Sequence, residues 1–368
     1  MRKLPWLSAA VLAFAVPGGL AAQAPAVSLA AADARLYAFL DKEFADELRD
    51  RPQLATQLGL KDGQDQLDDI SDAASLRRLE WRRGSVARMK AGFDRAKLSP
   101  DAQVNYDIWT LELDRAELGY RFRMQAPPFY SFLYSAHAQL PNFLINTHTV
   151  QDAGDMRAYA ARLRAIPAVL DTAIQQSRAS DAAGVRAPKF QIERVITGSR
   201  AIVTGAPFDD GAASPLWADA QAKVAKLQAG GKLDAATAAT LLAGTRAALL
   251  TIKPAYDRVI AWAQADLARA PSGRVGALTL PDGAAWYAAA LKLNTTTDLS
   301  ADEIHQIGLA EVKRIEGEQD ALARTAGLQD REAFYADIAR RFPVVPWNDT
   351  LRAKYLKDAN AALAFNRT

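Results

Sequence analysis

The 368-residue sequence contains no cysteine and only three histidines. The absence of cysteine excludes disulfide bonds, thiol catalysis and cysteine-ligated zinc or iron–sulfur sites. None of the histidines, His137, His148 and His305, is followed by glutamate, so the helical His-Glu-x-x-His zinc motif is missing. Phosphate-binding loops, the dinucleotide fingerprint and the Gly-x-Ser-x-Gly elbow of serine hydrolases are missing too. We therefore identify no catalytic and no metal-ligating residue in the sequence.

Alternating β-branched runs are also nearly absent, whereas alanine, which has the highest helix propensity, is abundant. Apolar residues recur at the three-and-four spacing of amphipathic helices along most of the chain. Three such stripes are Leu36, Tyr37, Leu40, Phe44 and Leu48; Val104, Ile108, Leu111, Leu118 and Phe122; and Leu241, Leu242, Leu249, Ile252, Tyr256, Ile260 and Leu267. We predict an all-α fold, an irregular multi-helix array of long amphipathic helices with few or no strands.

Helix starts and interruptions are visible as well. The predicted caps are Ser99 with Pro100, Thr149 with Asp152, and Ser300 with Glu303. We expect Pro167 to kink or end its helix and Pro254 to bend the longest one. Segments 123–148, 204–215 and 268–284 are predicted to be connections. Within the first, the aromatic and histidine-containing stretch 126–148 either lines a pocket or is a non-helical loop buried across helix ends, and we favour the buried loop.

The N-terminus has the three-part pattern of a secretory signal peptide. Arg2 and Lys3 precede an apolar run over residues 4–16, and helix-breaking and small residues follow. We predict a signal over residues 1–24, with cleavage after Ala21, Ala22, Ala24 or Ala26. The run is shorter than the ~20 residues that a membrane span needs, and no cysteine follows it for lipid attachment. The mature chain, residues 25–368, is thus predicted to be periplasmic or secreted, without a stable membrane anchor.

Charge gives no reason to expect a nucleic-acid partner. Removal of Arg2 and Lys3 with the signal leaves 43 of the 45 basic side chains against 42 acidic ones. Nucleic-acid binding requires a concentrated basic surface, which this balance does not provide. The densest cluster comprises Asp62, Asp65, Asp68, Asp69 and Asp72, followed by Arg77, Arg78, Arg82 and Arg83. A calcium loop is one interpretation of the aspartates, but we favour a solvated loop that leads into a charged helix face.

Residues 281–322 carry a motif. Its elements are Gly283, Trp286-Tyr287, Thr295-Thr296-Thr297-Asp298-Leu299, Glu303-Ile304-His305, Gly308-Leu309 and Glu311-Val312. Further elements precede it in order: Phe39-Leu40 to Phe44, Leu58-Gly59-Leu60, Leu98-Ser99-Pro100, residues 149–152, Ala183-Gly184-Val185 and Pro188-Lys189. Across essentially the whole mature chain, this pattern resembles the bacterial domain-of-unknown-function family 885 (DUF885).

The resemblance implies an exported, largely helical protein similar to zinc-dependent peptidases of the carboxypeptidase Taq type. In such proteins the expected metal site is a downstream His-Glu segment that ends Pro-Gly-His-His, and this segment is absent here. The resemblance therefore implies the front half of a larger metallopeptidase-like fold. Zinc is implied for the full-length protein, with no cofactor in this chain, and the missing C-terminal half is the expected intramolecular partner. The apolar faces of helices 300–322 and 349–366 are then expected to be exposed.

Two functional hypotheses follow from the resemblance. In the first, the chain supplies the cleft wall of a metal-dependent peptidase or hydrolase, contacts a peptide substrate and is inactive alone. In the second, it is a non-catalytic exported helical protein that binds peptides or has degenerated. Thr295, Thr296, Thr297 and His305 are the candidate residues for contacting substrate or supporting a downstream metal. The alternative is that the threonines satisfy local backbone donors and that His305 is a partly exposed helix residue or bonds to the threonine loop.

Overall fold

The computed structural model describes residues 24–131, 135–273 and 275–365. In these ranges thirteen α-helices form, and the only strand-like feature is an isolated bridge between Ala206 and Ala213. The helices are α1 (Ala24–Arg49), α2 (Pro52–Gln57), α3 (Asp72–Gly92), α4 (Pro100–Arg121), α5 (Ala136–Asn146), α6 (Ala153–Ala182), α7 (Lys189–Ile202), α8 (Pro215–Ala229), α9 (Ala235–Leu267), α10 (Gly283–Thr295), α11 (Ala301–Thr325), α12 (Arg331–Arg341) and α13 (Asp349–Phe365). The prediction of an all-α fold is confirmed. The predicted signal peptide lies outside the described residues except for Ala24.

The first helices, α1, α3 and α4, surround a small apolar core. Ser99 caps α4 as predicted, because its hydroxyl accepts from the Ala102 amide and Pro100 occupies the first turn. The core comprises Leu36, Met89, Leu98, Ala102 and Tyr106.

The predicted stripe along α4 is only partly buried: Val104 is 56% and Ile108 50% exposed, whereas Phe122, directly after the helix, is buried. The helix buries the neighbouring face of Ala102 and Tyr106 instead, where an aromatic ring gives the larger apolar contact. In α1 the predicted stripe is only partly buried: Leu36 is buried, whereas Phe44 is exposed.

Helices α5 to α9 form the principal core, in which α6 and α9 pack along each other. The predicted stripe on α9 is largely confirmed, because Leu249, Ile252 and Tyr256 are fully buried. With 33 residues, α9 is the longest helix of the described chain, as predicted. It is long and apolar enough to span a membrane, but its buried face belongs to this core, which is the behaviour of a core helix.

Prolines do not end the long helices. Both α6 and α9 continue through Pro167 and Pro254. The prediction of a non-helical stretch at 126–148 is wrong over residues 136–146, where α5 forms and continues through Pro141. A proline cannot donate to the carbonyl four residues earlier. In α5 that carbonyl belongs to His137, and the buried Tyr256 hydroxyl donates to it at 2.8 Å. A tertiary contact thus satisfies the acceptor that the sequence leaves unpaired.

Helix α6 begins later than the predicted Thr149 cap. Asp152 is the N-cap, and its carboxylate accepts from the Asp155 amide at 2.9 Å. The Asp155 carboxylate in turn accepts from the Gln151 amide at 2.8 Å. The reciprocal bonds resemble a capping box displaced by three residues, because aspartate is a stronger cap than threonine.

Of the residues that the structure describes, those from 24 to 289 form one compact unit and those from 290 to 365 form a second. The predicted capping box of α11 is confirmed: Ser300 accepts from the Glu303 amide, and Glu303 accepts from the Ser300 amide at 2.7 Å. Helices α11 and α12 contact each other through polar groups, including the Arg331–Glu316 ion pair at 3.1 Å. Among the residues of this unit whose burial is described, Ala323 alone is buried.

Candidate functional site

The three candidate threonines lie where α10 ends. The Thr295 and Thr297 hydroxyl oxygens are 2.9 Å apart, and the Thr295 hydroxyl donates to the Leu291 carbonyl at 2.9 Å. The Thr297 amide donates to the Thr295 hydroxyl, and the Leu299 amide donates to the Thr297 hydroxyl. Thr296 has a φ of +55°, in the left-handed region that turns the chain towards α11. The structure therefore brings the threonines together, with their hydroxyls bonded mainly within the turn.

His305 lies on α11 and is exposed. Among the described residues its ring has no hydrogen-bond partner, so the structure does not join it to the threonine turn. The predicted apolar stripe on the same helix is exposed as well: Ile307 is 51%, Val312 54%, Ile315 43% and Leu322 70% accessible. The expectation of an uncovered apolar face on α11 agrees with this geometry. On α13, Tyr355, Leu356 and Leu363 are likewise exposed.

Gly283, at the start of the motif, has a steric role. A Cβ atom at this position would overlap the Ala277 carbonyl, and Asp282 immediately before it has a φ of +53°. A side chain is therefore excluded from the turn that begins α10.

The other two histidines are buried in the first unit. Arg162 Nη1 donates to His148 Nδ1 at 2.7 Å, so the other ring nitrogen carries the proton and donates to the Asp155 carbonyl at 3.1 Å. Burial lowers the pKa of His148 to about 4, and burial also lowers the pKa of His137 to about 4. Both imidazoles are consequently neutral at physiological pH.

Arg162 is fully buried and fastens the loop over residues 58–71 to α6. Its guanidinium donates to the Gln66 carbonyl and to the Thr56 hydroxyl, each at 2.7 Å, and more weakly to the Gly63 and Pro52 carbonyls. Burial lowers the pKa of Arg162 to about 10, which leaves it charged at neutral pH. Nearby, the Lys61 ammonium lies 2.7 Å from the buried Asp155 carboxylate. These bonds give Arg162 and His148 a structural role, in which they join α6 to the loop before α3.

The described residues do not fit a catalytic zinc. A zinc site needs three protein ligands with nitrogen, sulfur or oxygen donors that converge on one point. No group of three histidine, aspartate or glutamate side chains in the described ranges could hold a metal ion. The two buried histidines are engaged elsewhere, since His148 accepts from Arg162 and the His137 ring contacts Ser135 at 3.0 Å. We therefore derive no metal-dependent step from this chain.

A cleft of about 660 Å³ opens between α1, α3, α4 and the loop before α3. We call it the arginine cleft. Its charged lining comprises Arg51, Arg77, Arg78, Arg82, Arg115 and Arg123, together with Asp46, Glu47, Asp50, Asp68, Asp69 and Glu112. Trp81, Tyr120, Leu79 and Ile70 add apolar surface. This volume lies in the range of small-molecule sites.

Arg82 is the most enclosed cation of the arginine cleft, with 9% of its side chain exposed. Its carbon Cζ lies 4.2 Å from the Trp109 ring centroid and 4.9 Å from that of Trp81. One terminal nitrogen, Nη2, donates to Glu47 at 2.6 Å. The other, Nη1, has no hydrogen-bond partner among the described residues.

Asp68 is the half-buried acid of the arginine cleft. Its Oδ1 accepts from the Gln53 amide at 2.9 Å, and its own amide donates to the Gln53 side chain at 3.0 Å. Burial raises the pKa of Asp68 above its ordinary value, against the smaller opposing effects of the Gln53 bond and nearby arginines. The effect of desolvation on this carboxylate is therefore larger than the opposing effects of its hydrogen bond and the nearby arginines.

The sequence pattern did not identify this cleft. The acidic and basic cluster was interpreted as a solvated loop and helix face, and for Arg77, with its exposed ion pair to Asp50, this holds. For Arg82 the interpretation is wrong, because the two tryptophans that enclose it come from α3 and α4. A signal was present in Trp81, directly beside Arg82, but the contribution of Trp109 depends on the fold.

The arrangement of helices is shared with a solved protein. The crystal structure of a "putative lipoprotein" from Colwellia psychrerythraea matches with a TM-score of 0.72 at 19% sequence identity. The match covers 90% of this chain and 58% of that one, so this chain spans little more than half of the length of its structural neighbour. No curated protein matches the sequence.

A family model described as "Bacterial protein of unknown function (DUF885)" matches residues 52–367. The match covers most of the chain and includes the motif at residues 281–322 and every earlier element of the resemblance except Phe39-Leu40 to Phe44. The description of the family names no activity. The chain belongs to the DUF885 family of bacterial proteins.

Proposed function

We propose that this chain is the helical, substrate-contacting part of an exported metal-dependent peptidase or related hydrolase, whose metal ligands and general base lie on further chain. The observation that carries the proposal is the exposed apolar stripe of α11. A stripe at Ile307, Val312, Ile315 and Leu322 is typical of a helix that buries one face. Further chain packed on α11 would remove this surface from water.

The structural neighbour supports a longer parent protein. It shares the fold over 90% of this chain, but 42% of its own length lies outside the match. Chain of that extent is enough to carry both a covering layer for α11 and a metal-binding helix. The peptidase chemistry itself comes from the family resemblance to carboxypeptidase Taq-type enzymes.

Export is supported by the N-terminal pattern of Arg2 and Lys3, a short apolar run and small residues. The neighbour is described as a "putative lipoprotein", but this sequence has no cysteine for lipid attachment. We propose a periplasmic or secreted protein. Loss of roughly 21 to 26 residues on expression in a Gram-negative host would support this proposal, and an intact Met1 on a cytoplasmic product would contradict it.

In this proposal the turn at Thr295, Thr296 and Thr297 and the exposed His305 lie along the substrate cleft of the longer protein. Their hydroxyls and imidazole supply polar contacts to a peptide backbone. The turn is already held by its internal hydrogen bonds, so binding a peptide would cost little conformational entropy in the turn.

The test compares this chain with a longer family form that includes a downstream His-Glu helix. Metal content after dialysis and peptide cleavage with and without chelator are measured for both. We expect stoichiometric zinc and chelator-sensitive cleavage only in the longer form. One tightly held zinc on this chain alone, lost when two of its histidines are replaced, would overturn the proposal. Zinc-free longer chains without cleavage would favour the non-catalytic hypothesis.

Variants at two adjacent positions of α11 test whether further chain packs on its apolar stripe. Val312→Glu places a charge on the exposed stripe, and Lys313→Glu is the matched control on the neighbouring exposed position. We expect Val312→Glu to destabilise the longer form severely and to leave this chain unaffected, whereas Lys313→Glu is tolerated in both. Equal tolerance of both variants in the longer form would show that the stripe stays exposed there.

A further inference from the structure

We propose that the buried contact between Arg162 and His148 is an acid-sensitive fastening, which holds the loop over residues 58–71 closed and releases it when His148 binds a proton. The loop contributes three residues to the lining of the arginine cleft, namely Asp68, Asp69 and Ile70. Its release would therefore open one wall of that cleft. The proposal goes beyond the metal-dependent activity proposed above, because it requires neither a metal nor further chain.

The contact permits only one protonation state of the imidazole. A guanidinium has no acceptor and stays charged, so Nη1 of Arg162 donates to Nδ1 of His148 at 2.7 Å. The other ring nitrogen, Nε2, donates to the Asp155 carbonyl at 3.1 Å. A proton on Nδ1 would occupy the lone pair that accepts from Arg162 and would place two cations against each other. The bond therefore exists only while His148 is neutral.

The surroundings of this contact oppose a second positive charge. Arg162 and His148 are both at most 1% exposed. Charged groups approach the pair from three elements: Asp155 on α6, Lys223 and Asp219 on α8, and Lys61, Asp65 and Asp68 in the loop. Burial is the main cause that lowers the pKa of His148, and the charges of Arg162 and Lys223 lower it further, against the smaller effects of Asp155. Protonation of His148 in the closed structure is consequently unfavourable.

The loop depends on Arg162 for much of its attachment to α6. Residues 58–71 are all at least partly exposed, and two of their apolar side chains, those of Leu67 and Ile70, pack against the principal core. The other attachments are polar: Arg162 donates to the Gln66 and Gly63 carbonyls, and further bonds join Lys61 to Asp155, Gln64 to Thr149 and Gln176 to Ile70. Because the loop buries little apolar surface, its opening should cost less free energy than unfolding of the α6 and α9 core.

Proton binding and loop opening are therefore coupled. In the closed loop the pKa of His148 is about 4, whereas in the open loop, where water reaches the ring, its pKa returns towards 6.5. Between these two values a fall in pH stabilises the open form alone, because only the open form takes up the proton. Above pH 6.5 neither form binds the proton, and the loop stays closed.

Hydrogen exchange of the loop amides between pH 7.5 and 4.5 tests the proposal. The amides of Gln64 and Gln66 donate to carbonyls within the loop, and the Asp68 amide, at the wall of the cleft, donates to the Gln53 side chain. Their protection factors, corrected for the intrinsic effect of pH on exchange, measure loop opening. We expect these factors to be constant above pH 7 and to fall roughly five- to tenfold for each pH unit between 6 and 4.5.

Amides of α9 supply the internal comparison, because they exchange only when the principal core unfolds. We expect the loop amides to be far less protected than those of α9 at every pH. Loop protection that does not change with pH would overturn the proposal. Loop protection equal to that of α9 would also overturn it, since the loop would then open only with global unfolding.

Two glutamine variants separate this contact from general acid sensitivity. His148→Gln keeps an oxygen that accepts from Arg162 but binds no proton. His137→Gln is the matched control, because burial also lowers the pKa of His137 to about 4 and its ring contacts Ser135 rather than the loop. We expect the pH dependence of loop protection to disappear in His148→Gln and to persist in His137→Gln. Dependence that persists in the first variant, or disappears in both, would overturn the assignment to His148. The comparison of the loop with α9 in the unaltered chain does not require either variant to fold.

Discussion

Residues 153–267 and residues 290–365 both consist of amphipathic helices, but only the first set buries its apolar faces. In the first, α6 and α9 have 30 and 33 residues and offer each other long complementary surfaces. In the second, α11 has an equally regular stripe, yet Val312 and Leu322 on that stripe are exposed. An amphipathic pattern therefore indicates that a helix needs a partner without identifying the partner.

Local interactions hold the second set in helical form. Helix α11 has the Ser300–Glu303 capping box and a pair of ion contacts in which Arg314 lies 2.7 Å from Glu311 and 2.6 Å from Glu318. These groups are exposed to solvent, so such contacts stabilise the helix only weakly. In the α6 and α9 region, burial of each large side chain contributes about 1.5–3 kcal/mol. Helices α6 and α9 are thus stabilised mainly by tertiary packing, whereas α11 is stabilised mainly by interactions within the helix.

The largest expected effect is a cavity in the principal core. Leu163 on α6 is fully buried, so Leu163→Ala should lower the free energy of unfolding by about 2–5 kcal/mol. The exposed Ile315 on α11 is its counterpart, and Ile315→Ala should change stability by at most about 0.5 kcal/mol. Urea denaturation of both variants measures the contrast. Similar losses would show that the α11 stripe is buried in solution.

The second effect is acid sensitivity of the first unit. His148 and His137 have pKa values lowered by burial to about 4, from 6.5. Above pH 6.5 both folded and unfolded states are neutral, so no stability is lost. Between pH 6.5 and 4 only the unfolded state binds a proton on these rings. Across this interval each histidine should lower the free energy of unfolding by about 3 kcal/mol.

Denaturation curves at pH 7.5, 5.5 and 4.5 measure this loss. His148→Gln and His137→Gln should each flatten the pH dependence across this interval, whatever they cost at pH 7.5. A wild-type stability that is constant between pH 7.5 and 4.5 would contradict the burial of these rings.

The third effect concerns the tertiary bond that α5 requires. Tyr256→Phe removes the hydroxyl that donates to the His137 carbonyl and leaves that acceptor unpaired in the core. We expect a loss of about 1–3 kcal/mol. Tyr355→Phe on α13 is the matched control, because Tyr355 is exposed. Equal stability of the two variants would indicate that the carbonyl finds another donor.

Much of the fold was predictable because its signals are local. The caps at Ser99 and Ser300 require only residues within one turn, and both are confirmed. The faces of helices were less predictable. On α4, apolar residues occupy two adjacent faces, and only the packing against α1 and α3 decides that Tyr106 is buried and Ile108 exposed.

The burial of Arg82 at the arginine cleft and the burial of Arg162 on α6 could not be predicted for the same reason. Arg82 and Arg162 belong to sequence contexts that are typical of solvated helix faces, yet both are buried. Arg162 is enclosed because carbonyls of a loop about a hundred residues earlier converge on it. Arg82 is enclosed by Trp109, on the next helix. Contacts at such separations leave no periodic trace in the sequence.

The smallest expected effect separates local from tertiary stabilisation most directly. Ser300→Ala and Ser99→Ala each remove one N-cap hydroxyl, and each should cost about 1 kcal/mol of helix stability. Helix α4 is also held by the buried Ala102 and Tyr106, so Ser99→Ala should leave its amides protected from hydrogen exchange. Helix α11 lacks such packing, and Ser300→Ala should therefore speed exchange in its first turns severalfold. Unchanged exchange in α11 would mean that tertiary contacts, rather than its cap and ion pairs, hold the helix.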